Sequence, residues 1–154
     1  MNFLDSTIFV NWFKATKKDL AKPDVAGSGF VLYRIEHGEV ALTSSLVKDE
    51  VALWLSRYKR SRLPDFLDSI RSYTALAIEN PTLEDEVEAE HHFGAVELGY
   101  LDCINLAIMM RANIDTIYTS DKGFDHVPGV HRLLEELTKD PKFAGFQKWA
   151  HENL

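Results

Sequence analysis

The chain has 154 residues, 45% of them hydrophobic and 27% charged, with a formal net charge of −7. This composition excludes a disordered or collagen-like chain and suits one globular domain with a core of its own. The single cysteine, Cys103, excludes an internal disulfide and fits a reducing compartment, while no apolar run approaches the ~20 residues of a membrane span.

Asn2–Leu4 reads as a short buried strand closed by Asp5, and Ser6–Lys14 as a helix with Ile8, Phe9, Trp12 and Phe13 inward. No basic leader precedes that first apolar run, so a cytoplasmic location is expected. Lys17–Pro23 is a polar connection. Asp24 is placed to cap a helix to about His37, with Phe30, Val31, Arg34 and Ile35 spaced for one face and Gly38 as terminator. Gly27 and Gly29 inside that span mean either close packing or a later start. Glu39–Leu42 is a brief strand, and Ser44 or Ser45 caps the helix that carries Glu50. Pro64 opens the next helix, and Thr74–Ile78 reads equally as its last turns or as a third strand.

Pro81 and Thr82 start a long acidic helix to about Leu98, which Gly99 breaks; Leu101–Ala112 is helical again, with Asp102 in its first turn. Ile114–Thr119 is rich in β-formers and leads into Ser120 and Asp121. Gly129–Leu133 is an edge strand. Beyond Leu134 a helical tail is interrupted at Pro141 and Gly145. Its Phe143, Phe146 and Trp149 recur at helical spacing, for packing on the domain or on a dimer surface, and a homodimer is predicted. Alternating strands and helices predict an α/β fold, a parallel β-sheet flanked by helices.

Four carboxylates stand at the ends or starts of these elements: Asp5, Glu50, Asp102 and Asp121. In an open parallel sheet, ligands bind beyond the carboxyl ends of the strands, so such acids tend to converge. Clustered carboxylates raise one another's pKa unless a cation neutralises them, and oxygen donors suit Mg²⁺ or Mn²⁺. A metal site working on phosphate is therefore expected. The net charge of −7 argues against a polyanion ligand, yet local field counts for more than net charge. Each acid also has a plainer role, as helix cap (Asp5), first-turn acid (Asp102) or turn residue (Asp121).

Neighbouring residues extend the candidate site. Asn105 shares a helix face with Asp102 at i, i+3 and can orient a water or phosphate, or simply pack. Arg57, seven residues past Glu50, returns to within about 20° of it around the helix and can meet substrate or neutralise Glu50. Thr119 and Ser120 can donate to a carboxylate. Asp125 is either a support for Asp121 or a surface turn. The basic run Arg57, Lys59, Arg60 and Arg62 can track a phosphate backbone or complement a helix dipole. His91–His92 has no partner at zinc spacing.

The segments Phe3-Leu4-Asp5-Ser6-Thr7, Ser45-Leu46-Val47-Lys48-Asp49-Glu50, Leu101-Asp102-Cys103-Ile104-Asn105-Leu106-Ala107 and Tyr118-Thr119-Ser120-Asp121-Lys122-Gly123-Phe124 resemble the PIN-domain family in order and spacing. The resemblance is nearest to VapC-type toxins of prokaryotic toxin–antitoxin pairs. It runs from Met1 to about Leu133, implying a nuclease domain at 1–133 and a C-terminal helical extension at 134–154. What it implies further is a PIN-like three-layer α/β/α fold with helices on both sheet faces and cleavage of single-stranded or structured RNA with Mg²⁺ or Mn²⁺. An antitoxin partner is implied as well, its tail along the crevice; the basic run and Trp54 or Tyr58 on the Glu50 helix offer it a docking surface. Carried over by position, Asp5, Glu50, Asp102 and Asp121 match the four acidic positions; Asp5 and Asp102 are expected as direct ligands. The alternatives are an RNA-processing nuclease and a non-catalytic PIN-like module that binds RNA or protein. Asp5-Ser6-Thr7 also resembles the aspartyl nucleophile of haloacid-dehalogenase phosphotransferases, but Thr7 stands where that family needs a second Asp.

Overall fold

Five short strands, Asn2–Leu4 (β1), Ala41–Ser44 (β2), Leu76–Glu79 (β3), Thr116–Tyr118 (β4) and His131–Leu133 (β5), pair in parallel in the order β3-β2-β1-β4-β5. The computed structural model describes residues 1–154. Seven helices complete it: Ser6–Phe13 (α1), Pro23–Glu36 (α2), Ser45–Tyr58 (α3), Leu63–Ser72 (α4), Leu83–Ala95 (α5), Tyr100–Arg111 (α6) and Phe143–Asn153 (α7). The result is a three-layer α/β/α sandwich, with Phe3, Leu4, Ala41, Leu42, Ile117 and Tyr118 of the central strands buried. No single helix is long and apolar enough to cross a membrane.

The second strand lies two residues later than its apolar pattern suggests. Glu39 belongs to the turn before it, where its carboxylate takes Arg34 and the Tyr118 hydroxyl, and Val40 is exposed. The buried places go instead to Thr43 and Ser44, because both hydroxyls find partners: Thr43 donates to the Leu4 carbonyl at 2.6 Å and Ser44 to Asn105 at 2.6 Å. A short polar side chain with a satisfied hydroxyl is cheap to bury. Ser44 then serves twice, since its oxygen also accepts the Val47 N–H at 3.1 Å and caps α3.

Of Thr74–Ile78, the first two residues turn and the rest is strand rather than helix, with Leu76–Glu79 forming the sheet edge beside β2. Helix α2 begins at Pro23, whose fixed φ suits a first helical position; Asp24 sits in the first turn and does not cap it. The connection before it winds into a 3-10 turn, Lys17–Ala21, because the Asp19 carboxylate accepts both the Thr16 N–H and hydroxyl. Gly145 does not interrupt the tail, which is helical through Phe143–Asn153.

Close packing accounts for Gly29. A Cβ there would lie 2.4 Å from the Trp12 ring and 2.9 Å from Phe146. Phe146 meets Trp12, Phe30 and Tyr33 with ring centroids 5.8, 5.6 and 5.5 Å apart, so α7 closes over α2 and α1 through one aromatic cluster. Substituting Gly29→Ala should therefore destabilise the fold by about 1–3 kcal/mol in urea unfolding, through overpacking. Gly94→Ala and Gly145→Ala, where a Cβ meets open space inside a helix, should be neutral or stabilise by up to about 1 kcal/mol.

Candidate active site

The strand order reverses between β1 and β4, and at such a reversal a crevice opens beyond the carboxyl ends of the strands. Asp5 follows β1 and Thr119-Ser120-Asp121 follow β4, so residues more than a hundred positions apart become neighbours there. The Asp5 N–H donates to the Tyr118 carbonyl at 3.1 Å, which fixes the exit of β1 against that of β4.

Asp5 is 3% exposed and stands at the cap position of α1 without making a side-chain cap bond. Its Oδ2 instead accepts from the Thr119 hydroxyl at 2.6 Å and the Thr7 hydroxyl at 3.2 Å. Each hydroxyl is oriented from behind by a backbone donor, Asp121 N–H to Thr119 at 3.0 Å and Ser120 N–H to Thr7 at 2.9 Å. Each hydroxyl oxygen thus accepts one N–H and is left with its single proton to donate, and the two hydroxyls lie 3.1 Å apart beside the carboxylate. Burial nevertheless pushes the Asp5 carboxyl above the usual carboxylate range; the Thr119, Ser6 and Thr7 hydrogen bonds oppose this and the Asp121 charge adds to it.

The other three acids enter from separate elements. Asp102 lies in the first turn of α6, half-buried, and its carboxyl is pushed up to about 7, first by burial and then by the charges of Asp5, Asp121 and Glu50. Glu50, on α3, is raised by partial burial and by Asp5, against a hydrogen bond from Ser6; the residue as a whole faces solvent. Asp121 accepts the Gly123 N–H at 2.9 Å through one oxygen, leaving the other free. The four acids thus share one electrostatic site, because Asp102 feels all three others.

As they stand, no three of these side chains close tightly enough around one point to hold an ion. Their chemistry still fits a hard divalent cation: the donors are all carboxylate oxygens, and a double positive charge would offset the burial, and the repulsion added to it, that raise Asp5, Glu50 and Asp102.

Asn105 is 1% exposed and faces β2. Because the Ser44 oxygen already accepts from Val47, its proton goes to Asn105 Oδ1, and this fixes the amide with its Nδ2 lacking a hydrogen-bond partner. Thr119 contacts Asp5 directly. Ser120 does not donate to a carboxylate: its hydroxyl accepts from Asn11 at 3.3 Å. Asp125 is exposed and pairs with Arg132 at 2.9 Å, away from the other acids. Arg57 is exposed and makes no ion pair with Glu50.

Sequence reasoning passed over Thr7 as a support, Ser44 as the orienter of Asn105, and Arg132 altogether. Arg132 is 8% exposed in its side chain and donates to the Thr119 carbonyl at 3.2 Å while holding Asp125 and Glu135. Only the pairing of β4 with β5, Ile117 opposite Arg132, brings it there, and no local signal announces that pairing.

A family profile described as PIN domain matches residues 3–130. No curated protein is a significant sequence match. Similar solved structures include VapC20 of Mycobacterium tuberculosis, a sarcin–ricin loop-cleaving toxin, at 19% identity and TM-score 0.60, with 79% of this chain and 91% of that one covered. A toxin–antitoxin complex from Klebsiella pneumoniae is similar at 15% identity and TM-score 0.62, covering 84% and 95%. VapBC2 from Rickettsia felis, bound to a DNA fragment from their promoter, is similar at 17% identity and TM-score 0.61, covering 86% and 96%. At such identities the likeness shows the fold.

The raised acids predict how metal-free stability varies with pH. Between the ordinary Asp pKa of 3.8 and about 7, native Asp102 keeps a proton that the unfolded chain has lost. Stability should therefore fall as pH rises through that window, the reverse of a salt-bridged carboxylate. In EDTA the Tm should be lower at pH 8 than at pH 5.5, and Asp102→Asn should flatten the dependence. A Tm that rises with pH, equally in parent and variant, would contradict this electrostatic picture.

Proposed function

The chain belongs to the PIN-domain family, and from that membership, with its four acids gathered at one crevice, we propose that it is a divalent-metal-dependent endoribonuclease and the toxin of a VapBC-type toxin–antitoxin pair. The observation that carries the reading is that four acids from separate elements meet at one crevice, where burial first, and then the charges of Asp5, Asp121 and Glu50, push the Asp102 carboxyl up to about 7. So costly an arrangement is explained by a cation that the acids hold together. Asp5 and Asp102 are the proposed direct ligands of Mg²⁺ or Mn²⁺, with Glu50 and Asp121 binding directly or through water. A divalent ion there lowers the pKa of water and stabilises charge on phosphate oxygens.

The protein's own residues do the rest. Thr7 and Thr119 hold Asp5 in one orientation, so no reorganisation is needed when substrate arrives. Asn105 keeps a fixed N–H₂ group without a hydrogen-bond partner, but that atom is buried, so it suits an enclosed ordered water and not the substrate. Glu50, at the solvent side and raised above its usual range, is placed to accept a proton from an attacking water. The toxin role draws on the structural relatives, which include toxins and toxin–antitoxin assemblies. An antitoxin partner, a homodimer, a cytoplasmic site of action, and a division into a 1–133 nuclease domain and a 134–154 extension belong to the same proposal.

Asp5→Asn and Asp102→Asn keep the shape of the side chain and remove its charge. Each should lower Mg²⁺- or Mn²⁺-dependent RNA cleavage by at least about a hundredfold while folding survives. The matched control is Asp49→Asn. Asp49 neighbours Glu50 but projects about 100° away around the helix, is exposed and pairs with Lys48, so activity should stay near that of the parent. Parent-like cleavage by both acid variants would refute the site.

Expression of the chain alone should slow growth, and co-expression of the protein encoded beside it should restore it. Normal growth with abundant, active enzyme would favour RNA processing instead.

A further inference from the structure

A cleft of about 720 Å³ opens between the end of α1, the turn Lys17–Ala21, the start of α2 and the last turns of α3. Lys14, Lys18, Lys22 and Lys59 line it, against two aspartates, Asp19 and Asp24. Asp19 is already engaged, by the Thr16 N–H and by Lys22 at 3.3 Å. Lys14, Lys18 and Lys59 make no ion pair. In a chain of net charge −7 this is a locally cationic surface.

Two aromatic rings stand in the same cleft. Trp54 and Tyr58 have ring centroids 5.1 Å apart, the Lys14 ammonium lies 5.9 Å from the Trp54 ring, and Tyr58 is 60% exposed. Both follow Glu50 on α3, by four and eight residues, which places them about 6 and 12 Å farther along the helix axis. From the α1 side, Asn11 lines the cleft and donates to Ser120, next to Asp121. The cleft therefore begins where the four acids end.

We propose that this cleft is a subsite for the unpaired nucleotides that flank the scissile phosphate, with the lysines on the backbone and Trp54 and Tyr58 stacked on bases. The proposal rests on the ribonuclease reading above. A positive groove with aromatic platforms is what binds single-stranded nucleic acid irrespective of sequence. A duplex keeps its bases stacked on one another and has none to offer these rings. A protein segment basic enough to seek the acids would meet like charge in the four lysines, so the cleft suits a polyanion better than an antitoxin tail.

The test is fluorescence anisotropy of a labelled single-stranded oligouridylate on the full chain in EDTA, where binding is read without cleavage. Trp54→Ala and Tyr58→Ala should each weaken binding about tenfold, and Trp54→Phe should restore most of it. Lys14→Ala with Lys18→Ala should lessen the dependence of log affinity on log salt, by about 0.7 for each phosphate no longer neutralised. A duplex of equal length should bind more weakly. Parent-like binding by the folded ring and lysine variants would overturn the proposal, as would ring variants that lose only the antitoxin. Asp5→Asn separates the two readings, because it should lose cleavage and keep the oligonucleotide. If the parent binds through the cleft yet never cleaves, the nuclease reading fails and the cleft stands; if it cleaves while ring variants bind normally, the cleft alone fails.

Discussion

The burial of Asp5 between the ends of β1 and β4 is the constraint on which the rest of the structure depends. A carboxylate at 3% exposure would normally be neutralised or expelled, and here two threonine hydroxyls and a neighbouring N–H take part of that cost. Those hydroxyls are themselves aimed by the N–H groups of Ser120 and Asp121, so the turn after β4 cannot shift without disturbing Asp5. Arg132 on β5 extends the same chain of contacts by holding the Thr119 carbonyl. The outer strand, the turn and the buried acid form one connected unit.

That unit stores repulsion instead of relieving it. Asp102 and Glu50 approach Asp5 from α6 and α3 with no positive side chain among them: Arg57 points to solvent and Arg132 is spent on Asp125 and Glu135. Arg111, the one arginine of α6, is committed to Asp85 at 3.0 Å at the opposite end of its helix. A structure selected for stability alone would have placed a cation from its own side chains in the crevice. Its lack of one is consistent with the proposed site, whose counter-ion would come from solution.

Much of this was legible in the sequence because it depends on local chemistry. Asp5 and Asp121 at strand ends, Asp102 at a helix start, a cap at Ser44 or Ser45 and the terminator Gly38 all follow from neighbours within a few residues, whereas Glu50 lies in the second turn of α3 and not at its start. What escaped depends on partners distant in the chain. Strand β2 took Thr43 and Ser44 inward only because the Leu4 carbonyl and Asn105 were there to receive them. Gly29 is explained by a ring from α1 and another from the far C-terminus. Arg132 reaches the site through a register that no periodicity encodes. Asp125 and Ser120, four and one residues from Asp121, looked close in sequence, yet the short 3-10 turn after Asp121 carries Asp125 outward and Asn11 claims Ser120.

On the proposed reading, Asp5, Glu50, Asp102 and Asp121 hold one divalent site together. Binding of Mn²⁺, followed by loss of the free-ion electron paramagnetic resonance signal at neutral pH, tests it without reference to any substrate. The parent should bind saturably, and the affinity should fall by at least about tenfold in Asp5→Asn and in Asp102→Asn. Equal binding by parent and both variants, or none by the folded parent at millimolar Mn²⁺, would contradict it.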